Sequence, residues 1–70
     1  MKVAIGDEVE VVLTGSALDG RFGEVIGLYG ENTHPDVNFG IVYFTGPPLQ
    51  DGSKAIVMIS SCLTKAHGEY

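Results

Sequence analysis

Ten glycines and three prolines cut this 70-residue chain into short pieces, and that punctuation limits its fold more than any other feature. Between the breaks lie runs rich in Val, Ile, Phe and Tyr, a pattern of short strands at regular spacing. No window of a dozen residues both escapes Gly and Pro and keeps a 3.6-residue apolar stripe, so long helices are not expected. The first predicted strand is Glu8–Thr14, where Val9, Val11 and Leu13 alternate with Glu8, Glu10 and Val12. The second is Phe22–Tyr29, with Gly23 and Gly27 marking a bulge or a close backbone approach. The third is Val37–Thr45 and the fourth Lys54–Ile59; Ser60–Cys62 reads as one 3₁₀ turn and Leu63–Lys65 as a short last strand. The loops are Gly15–Gly20, Gly30–Asp36 and Gly46–Gly52. The expected fold class is all-β, a small five-stranded SH3-like barrel, which also hides most open sheet edges.

Length then bounds stability. Residues 1–70 make a single domain, with Ala66–Tyr70 expected to be a frayed tail. A domain this small supplies roughly 3–5 kcal/mol from its own core. The single cysteine, Cys62, excludes an internal disulfide. Association is therefore the expected source of further stability. The start Met1-Lys2-Val3 leads into Asp7 and Glu8 and does not read as a signal peptide. The longest uninterrupted apolar run is Ala55–Ile59, far below the ~20 residues that span a bilayer. A cytoplasmic chain with no membrane partner is expected.

Net charge argues against another class of partner. Nine acids stand against Lys2, Arg21, Lys54 and Lys65, giving −5. Four scattered cations make no stripe for phosphate binding, so tight nucleic-acid binding is not expected.

Residues Ile5–Ile26 place Gly6-Asp7 before alternating valines, then glycines 15, 20 and 23, then Val25. This resembles the opening of a KOW-type, SH3-like domain. The resemblance implies an RNA-, ribosome- or transcription-associated module with basic loops, whereas this loop carries Asp19 and one cation, Arg21. The chain is also similar to the type II dihydrofolate reductases of plasmids and cassettes, in Gly6-Asp7 with Val9, in Gly27-Leu28-Tyr29 and in Val57-Met58-Ile59-Ser60. That resemblance implies a barrel that assembles into a tetramer around a ligand-binding pore. Met58 and Ser60 stand where the family carries its pore glutamine and tyrosine, and no cation stands near Val11 or Val12, where it carries its pore lysine. No reductase activity is therefore expected. Small barrels of the photosynthetic apparatus, such as photosystem I subunit IV and the variable chain of ferredoxin-thioredoxin reductase, look similar in fold and are non-catalytic.

The chemistry-bearing residues form no site on paper. His34, His67 and Cys62 match no zinc spacing, so no metal and no cofactor is expected. Cys62 reads as a small buried hydrophobe and not as a nucleophile activated by His67. Ser60-Ser61 lacks a G-x-S-x-G elbow, and no glycines frame a phosphate loop. No catalytic residue is assigned. Phe22, Tyr29, Phe39, Tyr43 and Phe44 are expected at core positions and not as an aromatic peptide groove.

The most telling feature is apolarity on both parities of the third and fourth strands, Gly40–Phe44 and Ala55–Ile59. A barrel this small has one interior. If Ile41, Tyr43, Val57 and Ile59 are inside, then Val42, Phe44, Ile56 and Met58 face outward as a partner interface, an assignment that takes Phe44 out of the core aromatics. The leading expectation is a non-catalytic protein-interaction or assembly module, binding itself as a homo-oligomer or a protein partner. The alternatives are an oligomeric small-ligand binder or enzyme on a type II reductase-like scaffold, and a KOW-like nucleic-acid or ribosome-associated module.

Overall fold

In a computed structural model, which describes residues 2–31 and 33–66, the chain forms five antiparallel strands and one 3₁₀ turn. The strands are β1 (Glu8–Val11), β2 (Phe22–Tyr29), β3 (Phe39–Phe44), β4 (Ala55–Ile59) and β5 (Leu63–Lys65), with the turn at Ser60–Cys62. They join in one sheet of order β4-β3-β2-β1-β5, compatible with a barrel-like fold. The predicted β2, 3₁₀ turn and β5 coincide with the observed ones, and β3 and β4 differ by one or two residues at their ends. β1 is shorter than predicted. Past Val11 the chain turns away, and the Leu13 N–H is taken by Asp19 Oδ1 at 2.9 Å instead of by a strand neighbour.

The core contains Val3, Val9, Val11, Val25, Val42, Phe44, Met58 and Leu63, with Leu18, Leu49 and Cys62 packed beside it. β1 sets its orientation, since Glu8 and Glu10 prefer water and Val9 and Val11 turn inward. Register carries that choice across the sheet. Val9 pairs with Gly23, Gly23 with Phe44, Val25 with Val42, and Gly40 with Met58. The predicted glycine irregularities are both present in β2. A Cβ at Gly23 would lie 2.7 Å from the Tyr43 carbonyl oxygen and 2.8 Å from Val42 Cγ1, so only glycine allows β2 and β3 to approach there. A register shift between Val25 and Gly27 then leaves Ile26 without a partner, a bulge that reverses the parity of the remainder of β2.

One buried polar knot ties the sheet to its flanks. Asn38 Oδ1 accepts from the Val3 N–H (2.9 Å), and its Nδ2 donates to the Val3 carbonyl (2.8 Å). The Asn38 N–H donates to Ser60 Oγ (3.1 Å), and the Ser60 N–H donates to the Asn38 carbonyl (2.7 Å). Asn38 and Ser60 are the buried polar residues, and among the described residues no buried side-chain polar atom lacks a partner. Ala66, expected in the frayed tail, donates its N–H to the Glu8 carbonyl at 2.9 Å; residues 67–70 lie outside the described part. No helix among the described residues is long and apolar enough to cross a membrane.

Candidate functional site

The outward surface of β2, β3 and β4 is built from three cross-strand rows. One is Tyr29–Phe39–Ile59, the next Gly27–Ile41–Val57, and the third Glu24–Tyr43–Ala55. Only Glu24 among these nine residues is charged. Tyr29 is 59% exposed, Phe39 and Tyr43 44% each and Val57 39%, while Ile41, Ala55 and Ile59 are half-buried. The bulge at Ile26 makes this face possible, because it moves Gly27 and Tyr29 onto the outer side. Gly27 lies under Ile41, whose Cδ1 would stand 3.3 Å from a Cβ there. The same surface turns acidic over β1, where Glu8 pairs with Glu24 and Glu10 with Phe22.

This arrangement corrects the inside–outside assignment made from sequence. Val42 (0% exposed), Phe44 (2%) and Met58 (7%) are core residues and do not face a partner; Ile56 alone of the four is exposed, at 38%. Ile41, Tyr43, Val57 and Ile59, expected inside, lie on the outer face. With both parities apolar, the pattern within β3 and β4 cannot choose a face. The choice comes from β1, through register, and from Gly23, whose missing Cβ lets β2 lie against the Tyr43 carbonyl and Val42. The aromatic expectation is corrected too: of the five rings, only Phe44 is in the core, with Phe22 51% exposed and the other three on the face just described. The signal that would have located the face was the unambiguous alternation of β1 carried strand by strand, counting one extra residue in β2.

A groove of about 520 Å³ lies between the β1–β2 and β3–β4 loops, lined by Ala17, Leu18, Arg21, Pro48, Leu49 and Asp51 among others. Its one cation is occupied structurally. Arg21 Nη2 donates to the carbonyls of Thr45 (2.9 Å) and Pro47 (2.7 Å), and the guanidinium carbon lies 5.2 Å from the centre of the Phe44 ring. Arg21 thus clamps the β3–β4 loop onto β2. Asp51 Oδ1 accepts from the Ser53 N–H (3.0 Å) and from its hydroxyl (2.7 Å), and these bonds, the backbone one first, hold the carboxyl below its ordinary pKa. These contacts stabilise the turn that leads into β4.

The remaining candidates stay dispersed. His34 Nδ1 accepts from the Asp36 N–H at 3.0 Å, a local turn contact. Cys62 is a half-buried free thiol packed against the core, and His67, its possible partner, lies outside the described residues. No group of three or more His, Cys, Asp or Glu converges among the described residues. Met58 and Ser60, which the resemblance to the type II reductases would set at pore positions, are buried here, and Ser60 is bonded to Asn38. Comparison of the chain with protein-family models, with curated proteins and with solved structures gives no match.

Proposed function

We propose that this chain is a non-catalytic assembly module, a five-stranded domain of the SH3-like barrel kind that associates with a second copy of itself through its β3–β4 side. The observation that carries the reading is the outer face bearing Tyr29, Phe39, Ile41, Tyr43, Val57 and Ile59, with four of these side chains 39–59% exposed. Full aromatic and aliphatic side-chain areas put the exposed apolar surface of that face at roughly 400–500 Å². That reaches the size at which a patch on a small protein marks an interaction site. Two such patches brought together amount to roughly 800–1,000 Å², which approaches the lower bound of a specific interface. A second copy supplies a matching patch without any further component. Association also meets the need of a short chain with one cysteine and a thin core.

Sedimentation equilibrium tests the reading. A dimer or closed oligomer is expected at about 100 µM, in keeping with an interface near the lower size limit. Val57→Lys is expected to give a monomer with an unchanged β-type far-UV spectrum, since Val57 is on the outer face. A wild-type chain that stays monomeric at that concentration would end the proposal.

A further inference from the structure

Taking from the assembly reading above only that two copies associate, and not that one outer face is buried on the other, we infer that two copies join edge to edge, β4 pairing antiparallel with the β4 of the second copy around a two-fold axis at Val57. Three observations lead there. The first is backbone direction. The Phe44 N–H donates to the Lys54 carbonyl (2.8 Å), and the Ser60 N–H to the Asn38 carbonyl (2.7 Å), so residues 54 and 60 turn their backbone groups toward β3. Antiparallel alternation then points residues 56 and 58 the same way, and Ala55, Val57 and Ile59 toward the other edge. Among the described residues β4 has β3 as its only strand neighbour.

The second observation is that this edge lacks the devices that keep sheets from pairing. β4 reads Ala-Ile-Val-Met-Ile, with no charge and no proline, and its register with β3 runs unbroken from Ala55 to Ile59. The third is self-complementarity. An axis at Val57 sets Val57 opposite Val57 and Ala55 opposite Ile59, so all three outward-directed residues exchange N–H···O=C bonds with the second copy. Lys54 then falls opposite Ser60, which places no like charges together. The outer rows continue across the junction, Tyr29–Phe39–Ile59 of one copy running into Ala55–Tyr43 of the other, the small alanine beside the larger isoleucine. The strand order becomes β5-β1-β2-β3-β4 followed by its mirror sequence. Glu8 and Glu10 on β1 are thus separated from their counterparts by strands β2–β4 of both copies.

Amide hydrogen exchange by NMR at two protein concentrations tests the geometry in the full chain. The Ala55, Val57 and Ile59 amides are expected to slow at least about tenfold where the dimer is populated, while Ile56 and Met58, already bonded to β3, change less. Val57→Pro removes an N–H that β3 does not use, and is expected to give a folded monomer. If the wild-type chain dimerises yet those three amides exchange at the same rate in monomer and dimer, edge pairing is wrong and the assembly reading stands through packing of the outer faces. If the wild-type chain is monomeric, both fall. Should Val57→Pro fail to fold, the wild-type exchange pattern still decides the matter.

Discussion

The sheet has two edges, and they are built differently. β5, at one border, is three residues long; Thr64 and Lys65 are exposed, and Lys65 Nζ lies 3.7 Å from Asp7 Oδ2. β4, at the other border, is five residues long and wholly apolar. A short strand carrying a lysine resists further pairing, because adding a neighbour would desolvate the charge. A longer uncharged strand offers backbone groups and apolar side chains together. The difference teaches that edge protection in this small domain is local. One border is closed by chemistry, and the other is left able to accept a strand.

The most damaging change expected is one that removes the common support of both edges. Phe44→Lys buries a charge opposite Gly23 and is expected to cost more than the roughly 3–5 kcal/mol a core of this size supplies. It should unfold the chain by far-UV circular dichroism, whereas Val57→Lys on the neighbouring strand should leave that spectrum intact. Equal behaviour of the two variants would contradict the assignment of Phe44 to the core and Val57 to the outer face.

Asn38→Leu comes next. Asn38 holds the Val3 segment and, through Ser60, the turn that links the two edge strands. The backbone N–H and carbonyl of Val3 would lose their partners, for an expected loss of about 2–4 kcal/mol in urea unfolding. A loss below about 0.5 kcal/mol would mean that the knot does not join the edges.

Lys65→Val makes the protected edge resemble the open one. The exposed ion pair with Asp7 is itself worth less than about 1 kcal/mol, so stability should barely move. Association should instead extend past a dimer, seen as a rise in average mass by light scattering at high concentration. An unchanged mass would show that the shortness of β5, and not its lysine, closes that border.

The smallest effect belongs to the turn that leads into β4. Asp51 has a depressed pKa through its bonds from Ser53. A depressed carboxyl stabilises the folded state above its unfolded pKa and loses that contribution as pH falls through the folded value. Wild type and Asp51→Asn should therefore differ slightly in melting temperature at neutral pH and converge at low pH. A gap that persists in acid would contradict this origin.

Much of the fold was legible in the chain itself. Glycine and proline spacing set off the first four strands, since turn residues act locally and need no distant contact, while the Ser60–Cys62 turn and the short β5 were read from the small polar residues that follow the apolar run Ala55–Ile59. Val9 and Val11 could be placed inside because glutamates alternate with them. The apolar character of β3 and β4 and its implication of an outer apolar face were readable too. Which parity faced outward was not. Val42, Phe44 and Met58 match Ile41, Tyr43 and Val57 in hydrophobicity, so local preference is degenerate there. The tertiary structure resolved it through three nonlocal facts: the register that ties Val9 to Gly23 and Phe44, the extra residue at Ile26 that turns Tyr29 outward, and the register that sets Met58 beside Gly40. Hydrophobicity is a property of each residue, whereas the side of the sheet it occupies is a property of the strands beside it.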